Sequence, residues 1–261
     1  MRSAQFDHAV IIVPSLAPAV RSFERLGFHV MKGGRTGPVH NALILFGDGT
    51  YLELTTNRFS ALRPLFRGLH AVGLIPRAAA KRDDMLQRFL PWIGAPAGAI
   101  DWCIRVDDLR STVAALRAKG LEMVGEMPFE RRRPDGEVAN WLLAGPQDAR
   151  LPFLIEDLTP VEIRVPWREH SHHPNGVSGI RRIVLPQTVK EAFDRLMRAV
   201  LRGSSGASDD QSDALGSTSI GGSPGLDGLR HRFAIELLRP NQSEAQLDPE
   251  QTCGVSIKLV E

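Results

Sequence analysis

Apolar and polar residues in the first part of the chain follow a strand period, then a helix period, then a strand period again. Residues 6–14 (FDHAVIIVP) are rich in β-branched side chains and predict a strand. Apolar residues at helical spacing follow at Leu16, Val20, Phe23 and Leu26. Ser15 before them suits an N-cap, and Gly27 after them suits the C-terminal end of a helix. Residues 28–31, 40–46 and 50–55 predict three more strands, and Asp48-Gly49 predicts a hairpin turn. Residues 5–57 are therefore predicted to form a β-α-β-β-β module.

The same order of elements recurs from residue 100. The pattern predicts a strand at 100–106, a helix capped by Asp108, and strands at 121–129, 138–143 and 152–156. Leu16 and Leu109 open the two helices at an offset of 93 residues, which also aligns His8 with Asp101. Residues 100–160 thus form a second module. We expect the strands that begin near residues 6 and 100 to lie side by side or to be related by a pseudo-two-fold axis.

A third, partial module is predicted over residues 176–261. It combines a strand at 180–185, a helix that follows it, and strands at 231–238 and 254–260. We expect this module to complete a sheet and not to form a separate domain. Residues 204–228 are rich in Ser, Gly and Asp and predict a mobile loop, because they offer too little apolar surface to fold. Residues 58–99 are an insertion between the modules, with a helix near 81–90.

The sequence therefore predicts an α+β fold within one domain of 1–261: repeated β-α-β-β-β modules that form a curved mixed sheet around an open cup. Apolar residues make up 43% of the chain and charged residues 24%, and the net charge is +2. This composition is ordinary for a globular protein and offers nothing like the basic surface that a nucleic-acid binder needs. The longest apolar runs are too short to span a membrane. No apolar leader opens the chain, so a cytoplasmic protein is expected.

Particular motifs on this framework resemble a known family. They are the opening DHAVIIVP with its helix, HNAL at 40–43 leading into GTYLEL at 49–54, PFLIE at 152–156 and HPNG at 173–176. They resemble the glyoxalase-like family of longer bacterial proteins, within the glyoxalase/bleomycin-resistance/extradiol-dioxygenase (vicinal oxygen chelate) superfamily. The resemblance runs from about residue 6 to residue 201. One fold can serve many functions, so it indicates architecture more strongly than chemistry.

The resemblance implies metal ligands on the first and fourth strand of each module. Carried over to this sequence, these positions are His8, Glu53, Asp101 and Glu156. Imidazole and carboxylate ligands suit a divalent ion such as Zn, Mn, Fe or Ni, which can hold two adjacent substrate oxygens. Asp101 departs from the His or Gln of many metal-dependent members, so it either joins an unusually acidic site or points away. The alternatives are a structural His8 paired with Asp7 and solvated carboxylates at the strand positions.

Side-chain alternation gives a geometric expectation for the site. On the fourth strand, Tyr51 and Glu53 share one face and Leu52 and Leu54 share the other. The apolar pair suits the helix-covered side, which leaves Tyr51 and Glu53 in the cup. If His8 also faces the cup, its side chain should come within about 5 Å of Glu53, close enough to share a metal with bonds of roughly 2.0–2.2 Å.

Further candidates surround this set. In the resembling family the pair His40-Asn41 is characteristic, so His40 is a candidate general base for a C–H next to a carbonyl, with Asn41 and Tyr51 as substrate contacts. The alternative for His40 is a turn-stabilising role. Other candidate substrate contacts are Arg133, as one of three adjacent arginines able to grip an anion, Trp141 on the partner strand, and His173; a solvated hairpin and an exposed loop are the alternatives.

The leading functional hypothesis is a small-molecule enzyme of isomerase, lyase or dioxygenase type that acts on adjacent oxygens with metal assistance. The rival hypothesis is a non-catalytic protein that sequesters a small molecule in the same cup, as bleomycin-resistance proteins do. The third hypothesis is a structural or regulatory protein whose site has decayed.

The expected partner is a small-molecule substrate. Neither nucleic acid nor a membrane is expected as a partner, and a homodimer is left open.

Overall fold

The structure, a computed structural model, describes residues 4–36, 39–57, 62–133, 136–198, 200, 214–227 and 233–261. It is an α+β fold with an eight-stranded sheet and a six-stranded sheet, as the repeated modules predict. The helices are α1 (Leu16–Arg25), α2 (Arg63–Ala71), α3 (Leu74–Ala79), α4 (Leu86–Phe89), α5 (Leu109–Ala118), α6 (Val161–Arg164), α7 (Trp167–His170) and α8 (Gln187–Phe193). None of the helices within these ranges is long and apolar enough to cross a bilayer.

The first two modules build the eight-stranded sheet. Its strands are β1 (Ala4–Ile12), β2 (Met31–Thr36), β3 (Val39–Leu45), β4 (Tyr51–Asn57), β5 (Gly98–Val106), β6 (Met123–Arg132), β7 (Val138–Pro146) and β8 (Phe153–Asp157). They lie in the order β2-β3-β4-β1-β5-β8-β7-β6. The first strands β1 and β5 are antiparallel neighbours at the centre, and each pairs in parallel with the fourth strand of its own module. The expected pseudo-two-fold arrangement is confirmed.

The third module does not add strands to that sheet. It forms a sheet of its own from β9 (Gly179–Pro186), β10 (Ala214–Leu215), β11 (Thr218–Ser223), β12 (Ala234–Leu238), β13 (Ala245–Gln246) and β14 (Ile257–Val260). The pairing of its centre repeats the pattern of the first sheet, because β9 and β12 are antiparallel and each has a parallel partner, β11 and β14. The third module therefore repeats the central strand pairing of the first sheet in a smaller sheet.

The predicted mobile loop at 204–228 is wrong for residues 214–227. This segment forms β10 and β11, and Ile220 within it is fully buried. The prediction failed because the strand TSIGGS has only one large apolar residue, and its backbone pairs with the neighbouring β9. Residues 204–213 and 228 lie outside the described residues.

The two sheets share one apolar core on the convex side of the first sheet. α1 contributes Phe23, α5 contributes Val113, and the second sheet contributes Ile183 and Ile235 to the same cluster of buried residues. The ring of Phe193, at the end of α8, lies 5.5 Å from the ring of Trp102 on β5. The concave face of the first sheet carries a separate apolar cluster, which residues of the insertion join.

A β-bulge at the start of β1 changes which residues face the cup. The register with β5 shifts between Phe6 and His8, so one extra residue stands opposite the partner strand there. Phe6 consequently packs on the convex side with Ala9, while Asp7 hydrogen-bonds His8. Simple alternation would put Phe6 with His8 and Asp7 on the other face. The bulge therefore places a buried carboxylate beside His8, where the period-two pattern does not put it.

The assignment of residues 214–223 to strands can be tested by Ile220→Ala. We expect this substitution to lower the free energy of unfolding by about 2–5 kcal/mol, because it opens a cavity at a fully buried position. Ser219→Ala on the neighbouring, half-exposed position is the control and should cost less than about 1 kcal/mol. Denaturant unfolding measures both. An Ile220→Ala protein as stable as the control would restore the loop prediction.

Candidate functional site

The concave face of the first sheet encloses a cavity of about 290 Å³. Most of its wall is apolar, and five Phe and Trp side chains contribute: Phe89, Trp92, Phe129, Trp141 and Phe153. Polar groups enter it mainly from β1, β3, β4 and α6: His8, Asn41, Tyr51, Glu53 and Arg164. Arg131 on β6 adds a further cation. An apolar pocket with a few converging polar groups is the usual form of a small-molecule site.

His8 and Glu53 meet inside this cavity. The Nε2 atom of His8 lies 3.6 Å from a carboxylate oxygen of Glu53, within the separation expected from the sequence. The other oxygen of Glu53 accepts a hydrogen bond of 2.9 Å from the Asn41 amide. Asn41 in turn packs so closely on Gly33 that a side chain there would displace it. Strands β2, β3 and β4 thus fix the Glu53 carboxylate from one side.

A buried ion pair fixes His8 from the other side. The Nδ1 atom of His8 is 2.7 Å from the fully buried Asp7 carboxylate, and Arg164 donates to both oxygens of Asp7 at 3.1 and 2.9 Å. Burial acts to raise the pKa of Asp7, but the Arg164 guanidinium and His8 hold it well below its usual range. Asp7 is therefore a carboxylate that accepts from Nδ1–H, so the Nε2 atom of His8 is directed towards Glu53.

Arg164 ties this arrangement to the second module. Its guanidinium also donates to both oxygens of Asp157 at the end of β8 and to the Tyr51 hydroxyl at 2.8 Å. Burial raises the pKa of Tyr51 well above its usual value, so the phenol is neutral. Tyr51 lines the cavity and stacks on the His8 ring, with the ring centroids 4.5 Å apart. Asp7, Asp157 and Arg164 were not recognised as site candidates from the sequence. Asp7 was considered only as the partner of a structural His8.

Asp101 does not join His8 and Glu53. Arg88 of α4 binds both of its carboxylate oxygens, at 2.7 and 2.6 Å, and the backbone N–H of Trp102 donates to one of them at 2.8 Å. Asp101 is fully buried and outside the cavity lining. Its position anchors the insertion to the central strand β5.

Glu156 faces the opposite side of the sheet. Its neighbours on β8 alternate, with Ile155 in the concave cluster and Leu154 in the convex core. The Glu156 carboxylate accepts a 2.8 Å hydrogen bond from the backbone N–H of Leu109, in the first turn of α5. This contact satisfies one of the free N–H groups at the helix start. The structure thus places Glu156 on a helix terminus, away from His8.

His40 is also outside the cavity lining. On β3, Asn41 and Leu43 face the cavity, so His40 projects from the other face of the strand. Its carbonyl oxygen accepts from the Thr55 hydroxyl at 3.4 Å. The His-Asn motif therefore brings its asparagine, and not its histidine, to Glu53.

Among the three adjacent arginines, Arg131 lines the cavity, while Arg133 pairs with Glu137 across the hairpin at 3.7 Å. Trp141 does line the cavity. His173 is a buried packing group: its Nδ1 accepts from the His29 backbone N–H at 3.0 Å, so its Nε2 donates to the Leu45 carbonyl at 2.9 Å. Burial lowers the pKa of His173, which keeps this ring neutral.

The pseudo-two-fold axis shows what the second module offers in place of His8 and Glu53. His8 pairs with Tyr51 and also with Cys103, while Cys103 pairs with Phe153. The counterpart of His8 is therefore Cys103, and the counterpart of Glu53, two residues further along the fourth strand, is Ile155. The offset of 93 fails here because the first module has eight residues from His8 to its helix and the second has six from Cys103.

The residues present do not fit a tightly held divalent metal. Among the described residues, Asp7, His8 and Cys103 offer donor atoms within 4.8 Å of one another. Arg164 and Nδ1 of His8 already engage the Asp7 oxygens, and burial raises the pKa of the Cys103 thiol well above its usual value. His8 Nε2 and Glu53 remain as two protein donors, opposite an apolar half that contains Ile155. Structural sites use four protein ligands and catalytic zinc sites use three.

Comparison with known proteins agrees with this architecture. The sequence profile described as glyoxalase-like domain matches residues 6–201. A hypothetical protein from Staphylococcus aureus superposes with a TM-score of 0.64 at 15% identity, covering 98% of this chain and 99% of that one. Methylmalonyl-CoA epimerase from Mycobacterium tuberculosis matches with a TM-score of 0.36 at 20% identity, covering 59% of this chain and 86% of the epimerase. No curated protein sequence matches the chain.

The Asp7–Arg164 pair can be tested by single and double substitutions. Arg164→Met should lower the free energy of unfolding by about 3–5 kcal/mol, because it leaves the buried Asp7 carboxylate with only the more distant Arg105, at 3.4 Å, as a cation. Asp7→Asn combined with Arg164→Met should lose less than Arg164→Met alone, since the Asp7 charge is removed together with its principal cation. Chemical denaturation of the four proteins gives the coupling energy. Additive losses would contradict the pairing.

The donor set leads to a prediction about metal content. After dialysis against a weak chelator, the purified protein should retain much less than one equivalent of Zn, Mn, Fe or Ni, because two protein ligands hold such ions weakly. Elemental analysis measures this. A stoichiometric metal that is retained by the unsubstituted protein and lost in His8→Ala would contradict the assessment of the site.

Proposed function

The chain belongs to the glyoxalase-like domain family, and on that premise we propose that its cup catalyses proton transfer on a small carbonyl compound with adjacent oxygens. One observation carries this proposal. The His8 imidazole and the Glu53 carboxylate lie 3.6 Å apart in an otherwise apolar cavity, and each is held by a second group. A carboxylate and an imidazole within reach of one substrate are an acid–base pair, and isomerisation needs no further reactant.

The chemistry follows from the positions of these groups. The Glu53 carboxylate takes the proton from a carbon next to the substrate carbonyl, and the electron pair of the broken C–H bond forms an enolate. His8, in its protonated form, donates its Nε2 proton to the enolate oxygen, which gives an enediol. Nε2 then takes the proton of the other hydroxyl while Glu53 delivers its proton to the former carbonyl carbon, so the isomer forms and both groups return to their starting states. Asn41 keeps one oxygen of Glu53 occupied, so the other oxygen is the base. Asp7 stabilises the positive charge on His8 while it carries the proton.

Arg131 suits the oxygen-rich end of the substrate. Its guanidinium lines the cavity and donates to the Arg164 carbonyl, and it forms no ion pair within the described part of the chain. Burial lowers the pKa of Arg131 from its usual high value without discharging it at neutral pH. A half-buried cation that lines the cavity and forms no ion pair among the described residues favours a substrate carboxylate or a developing enolate oxygen.

The apolar wall defines the rest of the substrate. Phe129 and Trp141 stack with centroids 6.1 Å apart, and Phe89 packs against both Phe129 and Phe153. A cavity of about 290 Å³ with this lining suits a compact molecule with an aliphatic or aromatic body. We therefore propose a substrate with one anionic or carbonyl end and one apolar end.

Metal-assisted lyase or dioxygenase chemistry is a weaker proposal for this chain. An oxygenase iron typically takes two histidines and one carboxylate, and His8 and Glu53 supply only part of that set. The proposed mechanism assigns the stabilisation of negative charge to Arg131 in place of an ion.

A non-catalytic binding function is the second candidate. The aromatic lining favours it, because five aromatic rings supply contact area for a bound molecule whether or not it reacts. The convergence of Glu53 and His8 favours the enzyme.

The proposal can be tested with Glu53→Gln and its matched control Glu156→Gln. The assay follows hydrogen–deuterium exchange by NMR in D₂O, at the carbon next to the carbonyl, in a panel of 2-oxo acids and 2-hydroxyketones with apolar side chains. Glu53→Gln keeps the Asn41 contact but removes the base, so exchange should fall by about 10²- to 10⁴-fold. Glu156→Gln, on the other face of the sheet, should leave the exchange rate within about twofold.

The same panel distinguishes the two candidates. Saturable binding of panel members, without exchange above the buffer rate, would support the binding protein and overturn the enzyme. Equal losses in Glu53→Gln and Glu156→Gln would indicate a structural effect and would also contradict the proposed role of Glu53.

A further inference from the structure

Exposed large apolar side chains concentrate on the insertion. Five are exposed among the residues that the structure describes, and four of them lie between residues 62 and 74: Leu62 at 47%, Leu65 at 56%, Val72 at 63% and Leu74 at 53% exposure. The fifth, Leu158, is elsewhere in the chain. Single exposed apolar residues are common, but a cluster on one segment marks an interaction surface.

The helical spacing puts this cluster on one side of α2. Leu62, Leu65 and Val72 are separated by three and seven residues, which places them on one face of the helix. The side of α2 that carries Phe66 and His70 packs inward: a side chain at Gly94 would meet the Phe66 carbonyl at 2.5 Å and the His70 side chain at 2.6 Å. The exposed apolar residues thus lie beside the packed side of an anchored helix.

The same segment is strongly cationic. Between Glu53 and Asp83 the sequence has six Arg and Lys residues and no Asp or Glu. Arg77 and Lys81 are exposed, and the Arg77 guanidinium donates to the Val72 carbonyl at 3.2 Å. Exposed apolar groups next to cations suit a surface that is both apolar and anionic, which describes the headgroup region of an anionic bilayer.

We propose that this surface, formed by Leu62, Leu65, Val72 and Leu74 with Arg77 and Lys81, binds the face of an anionic phospholipid bilayer. The apolar side chains enter the headgroup boundary and the cations bind lipid phosphates. The helices lie on the bilayer and do not cross it, because α2 has nine residues. The proposal revises the expectation of no membrane partner, which rested on the lack of a run long enough to span.

The location also connects the surface to the cavity. Leu86, Phe89 and Trp92, from the same insertion, form part of the cavity wall. Arg88, between them in sequence, anchors the insertion to Asp101. Attachment through α2 and α3 would place this wall of the cup next to the bilayer.

Vesicle co-sedimentation of the full chain tests the proposal. Vesicles of mixed phosphatidylglycerol and phosphatidylcholine should retain the protein, while pure phosphatidylcholine should retain much less. Leu65→Ser combined with Val72→Ser should weaken binding at least about tenfold, through lost apolar burial. Arg77→Gln combined with Lys81→Gln should weaken it by about 25-fold, at roughly fivefold per cation. Leu158→Ser is the matched control and should bind like the unsubstituted protein.

Equal retention by both vesicle types, or no loss in either double variant, would overturn the proposal. Sedimentation velocity in the absence of lipid addresses the other occupant of an apolar face, a second copy of the chain. A dimer that Leu65→Ser with Val72→Ser converts to a monomer, in a protein that ignores vesicles, would also overturn it. None of these variants touches His8 or Glu53, so the result is independent of the proposed catalysis.

Discussion

The arrangement of the cup depends on a buried pair of charges, Asp7 and Arg164. Two charges without solvent are stable only when each meets the other with good geometry and their remaining hydrogen-bonding groups are satisfied. Here Asp7 accepts from both Arg164 and His8, and Arg164 also binds Asp157 and the Tyr51 hydroxyl. One guanidinium therefore joins strands from both modules, and the orientation of His8 follows from it.

The duplication explains why the cup has two unlike halves. Its pseudo-two-fold axis offers the same backbone positions twice, but the first module fills them with His8 and Glu53 and the second with Cys103 and Ile155. A symmetric set of ligands could surround an ion, whereas this set places acid–base groups opposite an apolar wall. The backbone is shared with the glyoxalase-like family, and the side chains at these positions decide the chemistry.

The insertion has two faces with different tasks. Its inner side closes the cavity with aromatic residues and is anchored where Arg88 meets the buried Asp101 carboxylate. Its outer side exposes apolar and cationic groups. Asp101 thus has a structural role: it connects the insertion to the central strand β5 through Arg88.

The sequence by itself determined the two full modules, their order and the cup side of β4, because local periods of two and 3.6 residues record which face of each element is buried. The resemblance to the glyoxalase-like family indicated His8 and Glu53, whose side chains lie 3.6 Å apart in the cavity. Only the tertiary structure decided the rest of the site. The bulge at Asp7 and the shorter connection before α5 shift register, and a one-residue shift moves a side chain to the other face of a sheet. For the same reason Glu156 reached the start of α5 and Asn41, not His40, reached the cavity. Arg88 and Arg164 come from segments without a periodic pattern, and their partners are fixed by packing across the fold, which no local spacing records.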